Sequence, residues 1–276
     1  MRRRDLLATA AALPVAAAAQ TVQRKGRLKQ CATMSCFGRK ATLEFVAREG
    51  ARLGLKGIDL IGPSGWPVLK KYGLVPSMAP GGGTIADGIN NKDNHAKIEK
   101  QIRENIELAA ASGVPNVITL SGNRRGMADE PAIENCAAFL NRVKAMAEDK
   151  GVTVCLELLN SKVDHPDYHC DHTWWGVEVM KRVNSPRVKL LYDIYHMQIM
   201  EGDIIRTIRQ NIQWIGHFHT AGNPGRHEID ATQELNYRAI AQAIVDAGFS
   251  GYFAHEYSPL GDPLKPASTI ACAMAR

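Results

Sequence analysis

The sequence predicts a single (β/α)8 barrel, an α/β fold of the TIM-barrel class, over residues 28–276. Short apolar runs alternate from Leu28 onward with longer stretches of helical periodicity, an order typical of parallel strands joined by crossover helices. Eight such runs occur within about 250 residues, which favours a closed barrel over an open sheet. No G-x-G-x-x-G motif follows the first run, which argues against a dinucleotide-binding domain.

The predicted strands are separated by segments of helical period. In chain order the strands are LKQCATMSCF, LKGIDLIG, LVPSMAP, VPNVITLSG, VTVCLELLN, RVKLLYDIYH, IQWIGHFHTA and GYFAHEY. Between them, residues such as Ile98, Ile102 and Ile106 repeat at the spacing of one helix face, so these segments are expected to pack outside the sheet. Gly113 and Gly151 stand where two of the helices should end. The pattern of the second helix, around residues 68–72, is weak.

Residues 1–19 are interpreted as a twin-arginine-type export signal. The cluster Arg2-Arg3-Arg4 precedes an apolar run from Leu6 to Ala19 that ends in small residues. A bilayer span needs about 20 apolar residues, so this run is too short to be a membrane anchor. We therefore expect a periplasmic protein with no membrane segment in its mature form.

The rest of the chain is moderately basic. Removal of three arginines and one aspartate with the signal lowers the formal charge from +6 to about +4. No later segment is basic enough to follow a phosphate backbone, so nucleic acid is not an expected partner. A small-molecule substrate is favoured, and a homo-oligomer is compatible with the sequence. The six cysteines lack C-x-x-C spacing and are interpreted mostly as packed thiols, with their pairing left open.

Four ionisable residues interrupt apolar strands in the second half of the chain. Glu157, Asp193, His219 and Glu256 each lie near the carboxyl end of a predicted strand, once per βα unit. That end of a (β/α)8 barrel forms the active site. Because side chains alternate between the two faces of a strand, the four groups converge at the barrel mouth if their faces point inward. A lone acidic residue in a strand is more often a surface or hydrogen-bonded residue, but four in register favour a functional site.

Three carboxylates in a mostly apolar funnel repel one another unless a cation lies among them. The sequence therefore predicts one divalent metal ion. Oxygen ligands with one imidazole and no thiolate favour Mn²⁺, Mg²⁺ or Co²⁺ over a structural zinc. Catalytic zinc or iron stays open.

Motifs around these residues resemble the xylose-isomerase-like TIM barrels and, within them, the hydroxypyruvate isomerase and ketose 3-epimerase branch. The motifs are E-x-x-N at 157–160, D-x-Y-H-M-Q at 193–198, H-x-H-x-A-x-N-P-G-R at 217–226 and H-E-Y-x-P at 255–259. The resemblance covers essentially the whole mature chain and implies a metal held by Glu157, Asp193, His219 and Glu256. Hydroxypyruvate isomerases commonly carry glutamine in place of His219, where this chain is more similar to the ketose epimerases.

The resemblance also implies an isomerase or epimerase acting on a keto-sugar or a small hydroxy-keto acid, with Mn²⁺ as the expected ion. In this chemistry a proton leaves the carbon beside a carbonyl and an enediolate forms, whose charge a metal stabilises. Glu157 and Glu256 are the implied proton-transfer pair. Asp193 and His219 would be ligands without a role in proton transfer.

Four further residues are predicted to contact the substrate, namely His196, Arg226, Asn160 and His217. The Asn-Pro-Gly turn is expected to direct Arg226 back over the mouth, where it can hold a hydroxyl or carboxylate. His196 resembles the family's substrate-contacting histidine, and Asn160 ends the first motif. His217 shares a strand face with the predicted histidine ligand and is expected either to orient Glu157 or to pack deeper.

A histidine-rich segment, VDHPDYHCDHTWWG, follows the fifth predicted strand. One interpretation is a substrate lid in which Trp174 and Trp175 stack on a sugar ring. The other is a polar turn that leads into a helix whose aromatic residues face the core.

Three other functions stay open at this point. The same carboxylate pair would serve a lyase or deglycosidase that expels the aglycone of a keto-glycoside. Apurinic endonucleases share the fold, but they need further histidines and carboxylates on other strands and a basic DNA face, and the early strands here, such as VITLSG, supply neither. A noncatalytic sugar-binding barrel is the non-enzyme alternative.

Overall fold

The computed structural model describes residues 26–264. The predicted export signal, residues 1–19, and Cys272 lie outside the described residues.

Nine parallel strands form one sheet around a barrel. They are β1 (Lys29–Ala32), β2 (Gly57–Ile58), β3 (Val75–Pro76), β4 (Ala79–Gly82), β5 (Asn116–Thr119), β6 (Thr153–Leu158), β7 (Val188–Asp193), β8 (Ile215–Thr220) and β9 (Tyr252–His255). Their hydrogen-bonded order is β3-β2-β1-β9-β8-β7-β6-β5-β4. β3 and β4 are the two halves of the third predicted strand, interrupted at Ser77 and Met78. β3 pairs with β2 and β4 with β5, so this strand completes the ring, and the predicted single TIM barrel is confirmed.

The helices alternate with the strands along the chain. They are α1 (Leu43–Arg52), α2 (Trp66–Lys71), α3 (His95–Ser112), α4 (Asp129–Lys150), α5 (Thr173–Val183), α6 (Ile194–Met200), α7 (Ile204–Asn211) and α8 (Tyr237–Asp246). Short 3-10 helices lie at Met34–Phe37, Pro63–Gly65, Lys92–Asn94 and Ile212–Trp214. The predicted stops are confirmed, because α3 and α4 each end at a left-handed glycine, Gly113 or Gly151. Within residues 26–264, no helix combines the length and the apolar character needed to cross a bilayer.

The hydrophobic core has an outer and an inner part. The outer part lies between helices and sheet, and it includes the buried face of α3 formed by Ile98, Ile102 and Ile106. The inner part is a small cluster of Met78, Cys155 and Leu191. Cys155 shares a strand face with Glu157, and Leu191 with Asp193, so this cluster lies on the same side of the sheet as the predicted site. Cys36, Cys136, Cys155 and Cys170 are buried free thiols.

Candidate active site and metal centre

The four predicted metal ligands come together at the carboxyl ends of β6 to β9. One ligand atom from each of Glu157, Asp193, His219 and Glu256 lies within 4.8 Å of the others. Their side chains are 9%, 1%, 0% and 22% exposed, in that order. The structure therefore places three carboxylates and one imidazole in a nearly closed space, where charges interact strongly.

Strand register explains how residues so far apart in sequence meet. Asp193 at the end of β7 is the direct neighbour of His219 on β8, and His219 is the neighbour of Ala254 on β9. Glu256 follows two residues after Ala254, and its backbone N–H donates to the Thr220 carbonyl at 2.8 Å. Because side chains on a strand alternate with a period of two, this register directs the ionisable side chains to one face.

Asp193 also has a structural role, because it is the N-cap residue of α6. Its Oδ1 atom accepts hydrogen bonds from the backbone N–H groups of Tyr195, at 2.9 Å, and His196, at 3.3 Å. This is the standard capping arrangement in which a side-chain oxygen satisfies free N–H groups at a helix start. Its Oδ2 atom lies 3.5 Å from Arg226 Nη2 and 3.5 Å from His196 Nε2, on the side of the site. One carboxylate oxygen is therefore fixed by the helix and the other faces the site.

His219 is held at one ring nitrogen and open at the other. Its Nε2 atom donates to Oδ2 of Asp59 at 2.9 Å. Its Nδ1 atom lies 2.9 Å from Glu256 Oε2 and 3.3 Å from Glu157 Oε1, yet it is buried without a hydrogen bond of good geometry. A buried ring nitrogen among carboxylates, with its other nitrogen fixed, is the arrangement of a histidine that binds a metal.

Contacts within the site decide which of its groups are ionised. Burial lowers the pKa of His219, but the attraction of Glu256 and the hydrogen bond to Asp59 raise it well above its ordinary value. Burial raises the pKa of Asp193 to about 7, although Arg226 and His219 oppose this shift. Burial would raise the pKa of Glu256 as well, but His219 and Arg226 together lower it.

The donor set fits a divalent cation. Three carboxylates and one imidazole supply hard oxygen ligands and one nitrogen, a combination that suits Mn²⁺, Mg²⁺, Co²⁺ or catalytic Zn²⁺. At neutral pH the metal-free site carries a proton on His219 Nδ1 and part of a proton on Asp193. A bound cation would replace these protons and neutralise the remaining negative charge.

Comparison with known proteins identifies the family of the chain. A family model described as xylose isomerase-like TIM barrel matches residues 67–271 of the chain. The chain belongs to this family. Its curated relatives include a human protein with the provisional name hydroxypyruvate isomerase, which is 28% identical over 83% of this chain and 79% of its own length. A 2-oxo-tetronate isomerase from Cupriavidus necator is 36% identical over 46% of each chain.

Solved structures confirm the barrel of this xylose isomerase-like protein. An AP endonuclease of family 2 from Brucella melitensis superimposes with a TM-score of 0.78 at 24% identity, covering 87% of this chain and 97% of its own. A D-psicose 3-epimerase, crystallised in the presence of D-fructose, gives a TM-score of 0.68 at 18% identity over 83% and 85% of the two chains. At these identities the structures establish the fold alone. With the curated isomerases, they support an isomerase or epimerase as the enzyme class.

Arg226 reaches back over the mouth of the xylose isomerase-like barrel, in the direction that its sequence position predicts. Its backbone adopts a left-handed φ of +57°, and its Nη2 atom lies 2.7 Å from Glu256 Oε2. Its guanidinium carbon lies 5.5 Å from the centre of the Tyr195 ring. The arginine therefore provides a fixed positive charge at the edge of the carboxylate cluster.

The other predicted substrate residues occupy three different environments. His196 is buried beside the metal centre, and the Asn160 amide donates to its Nδ1 atom at 2.6 Å. Its Nε2 atom then carries the proton of the neutral ring and is left without a hydrogen-bond partner. Asn160 also accepts from the backbone N–H of Asp164 at 2.8 Å, so it orders the loop after β6. His217 packs deeper than His219, and its Nε2 atom contacts Asp59 at 2.8 Å. Direct substrate contact by these residues stays a prediction.

The histidine-rich segment after β6 divides into a buried and an exposed part. Trp175 is buried in the core 5.2 Å from the ring of His169, whereas Trp174 at the start of α5 is 56% exposed. The ring of His165 lies 5.3 Å from that of His196, so one histidine of the segment reaches the active site.

Asp171 anchors this segment away from the metal centre. Its carboxylate accepts from Ser161 Oγ at 2.6 Å, contacts His172 Nδ1 at 2.7 Å and pairs with Arg124 at 2.8 Å. This side chain is 5% exposed. It is thus a buried carboxylate that holds a loop and does not belong to the predicted ligand set.

Sequence reasoning missed Asp59 and Ser77. Asp59 follows β2 and is 1% exposed, and its carboxylate accepts from both His217 and His219 and from the Ser77 hydroxyl. Burial would raise its pKa, but the two histidines lower it well below its ordinary value. A signal for Asp59 was present, since it is an acidic residue in the apolar run LKGIDLIG, as Glu157 is in its own strand.

Proposed function

We propose that this protein is a metal-dependent, hydroxypyruvate isomerase-like sugar isomerase or epimerase. Its substrate would be a keto-sugar or a small hydroxy-keto acid, and its reaction would proceed by proton transfer between Glu157 and Glu256. The single observation that carries the proposal is the set of three carboxylates that surrounds the buried Nδ1 atom of His219. The names of the isomerase and epimerase relatives support the same reaction class.

Mn²⁺ is the ion we propose, held by Glu157, Asp193, Glu256 and Nδ1 of His219. When bound, the metal supplies Lewis-acid stabilisation of the negative charge that develops on the substrate oxygens as the proton leaves. Asp193 and His219 are suited to hold it without moving, because a helix N-terminus fixes one and Asp59 fixes the other.

Glu256 is a candidate for the group that removes the proton. Burial would raise its pKa, but His219 and Arg226 lower it, so the carboxylate is ionised at neutral pH and able to accept a proton. Glu157 belongs to the same cluster, and its Oε1 atom lies 3.3 Å from His219 Nδ1. From there it can return a proton to the substrate. His196 and Arg226 would orient substrate oxygens between the two glutamates by donating hydrogen bonds.

Export to the periplasm is part of the proposal, because the arginine cluster and short apolar run at the start of the chain match a twin-arginine signal. Such a location favours an extracytoplasmic sugar derivative over hydroxypyruvate as the substrate.

The test is proton NMR in D₂O with a panel of neutral ketoses, hydroxypyruvate and keto-glycosides. The protein is loaded with Mn²⁺, which is removed before spectra are recorded. Deuterium beside a carbonyl together with a rearranged or inverted product is the expected result and names the substrate. Exchange with release of an aglycone would assign a lyase, and silence across the panel with metal bound would refute the proposed reaction.

A further inference from the structure

Asp59 is a buried carboxylate outside the proposed ligand set that contacts the set directly. Its Oδ2 atom accepts from His219 Nε2 at 2.9 Å and from His217 Nε2 at 2.8 Å, and all three side chains are fully buried. Its Oδ1 atom accepts from the Ser77 hydroxyl at the break between β3 and β4. We propose that Asp59 is a positioning residue that holds the ring of His219 in the tautomer whose Nδ1 lone pair binds the metal. This inference rests on the proposed metal-dependent function.

The hydrogen bonds define the tautomer. A carboxylate only accepts hydrogen bonds, so each histidine that contacts Asp59 must carry a proton on Nε2. A metal ion that displaces the second ring proton would leave a neutral imidazole with its N–H group at Nε2 and its lone pair on Nδ1, directed at the three ligand carboxylates. Without Asp59, the ring could place its proton on either nitrogen and rotate.

Asp59 is itself anchored from two sides. The rings of His217 and His219 stand 5.3 Å apart at an interplanar angle of 81°, and the carboxylate oxygen lies between their Nε2 atoms. Ser77 holds the other oxygen. The carboxylate therefore cannot turn away from His219 without leaving His217 Nε2 and Ser77 Oγ buried and unbonded, which costs about 1–3 kcal/mol per group.

The backbone next to Asp59 is strained as well. Leu60, the residue after Asp59, has a left-handed φ of +59°, a conformation that non-glycine residues rarely adopt. Its N–H donates to the Met78 carbonyl at 2.8 Å, and its side chain packs on the inner cluster of Met78, Cys155 and Leu191. Strained backbone beside a buried charge persists where surrounding structure imposes it, and such positions are frequent at functional sites.

The test compares Asp59→Asn with Asp171→Asn, a closely matched control. Asp171 is also a buried aspartate bonded to a serine and a histidine, but it does not touch the metal centre. Mn²⁺ affinity is measured on full-length protein by electron paramagnetic resonance of the free ion, with Tm recorded for each variant. We expect Asp59→Asn to weaken Mn²⁺ binding by about 10- to 100-fold. Asp171→Asn should lower Tm and leave the affinity unchanged.

Asp59→Ala extends the comparison. The asparagine carbonyl can still accept one or both histidine protons, so the affinities should fall in the order wild type, Asp59→Asn, Asp59→Ala. Equal Mn²⁺ affinity in wild type and a folded Asp59→Asn variant would overturn the role of Asp59 alone. Failure of the wild type to bind any divalent ion would refute the proposed function as well, so the two failures are distinguishable.

Nitrogen-15 NMR of the Zn²⁺-loaded wild type adds a readout that does not depend on any variant. The expected result is a His219 ring protonated at Nε2 and bound to metal at Nδ1. A ring bound through Nε2 would overturn the inference.

Discussion

Metal binding should be linked to the release of protons, and the ionisation states of the site predict how many protons each metal ion displaces. His219 has a pKa well above its ordinary value and therefore holds a second ring proton at neutral pH in the metal-free protein, whereas Asp193, with a pKa of about 7, is partly protonated. A metal ion must displace both protons. At neutral pH it should therefore release between about one and two protons, one from His219 and a fraction from Asp193.

The sign of the pH dependence follows from this competition. Protons and metal bind the same atoms, so the metal affinity falls as the pH falls. Below the Asp193 pKa both groups are protonated, and the affinity should fall about 100-fold per pH unit. Above it only His219 contributes, and the fall should be about tenfold per unit.

Isothermal titration calorimetry in buffers of different ionisation enthalpy counts the released protons directly. His219→Gln is the comparison variant, because an amide carries no such proton and the remaining protons then come from the carboxylates alone. A wild-type protein that binds Mn²⁺ with the same affinity between about pH 6 and pH 8, or without proton release, would show that the ionisation states inferred from the site are wrong.

Three further predictions concern single substitutions. Glu157→Gln and Glu256→Gln should each lower kcat by about 10²- to 10⁴-fold with Tm close to wild type, measured with the substrate that the NMR panel identifies, and full activity in both would exclude the pair. Arg226→Ala should destabilise the metal-free protein by about 2 kcal/mol, because its charged hydrogen bonds to Glu256 and Asp193 are lost. The Mn²⁺-loaded protein should lose less stability, because the metal supplies compensating charge. An equal loss of Tm in both forms would contradict this. Gly57→Ala should destabilise the fold by about 1–3 kcal/mol in urea unfolding, because its new methyl group would collide with the Val75 carbonyl beside Ser77, and unchanged stability would argue against so close a contact.

Much of the site could be predicted because each of its residues is marked by a short sequence pattern around it. Each of Glu157, Asp193, His219 and Glu256 is an ionisable residue near the end of an apolar strand, and the two-residue alternation of a strand determines which neighbours share its face. Eight apolar runs at regular spacing predict the barrel, and the barrel brings the strand ends together.

The part that could not be predicted depends on long-range geometry. Asp59 meets His217 and His219 across 158 and 160 residues of sequence, and no local pattern specifies that contact. The left-handed backbone of Leu60 is imposed by tertiary packing, since leucine rarely adopts a positive φ. The double use of Asp193, as helix cap and site carboxylate, is likewise visible only when α6 is placed at the end of β7.

All four predicted ligands come from β6 to β9, which are consecutive in the sheet and lie in the second half of the chain. The proposed proton transfer and metal binding would thereby be confined to one side of the barrel. The loops that follow β1 to β5 surround the opposite side of the mouth and supply none of these four groups. A descendant of this chain could exchange those loops without altering any of the four predicted ligands. Asp59 and Ser77 are the exception. They follow β2 and β3, on the side whose loops could change, yet Asp59 holds the predicted ligand His219 on the other side.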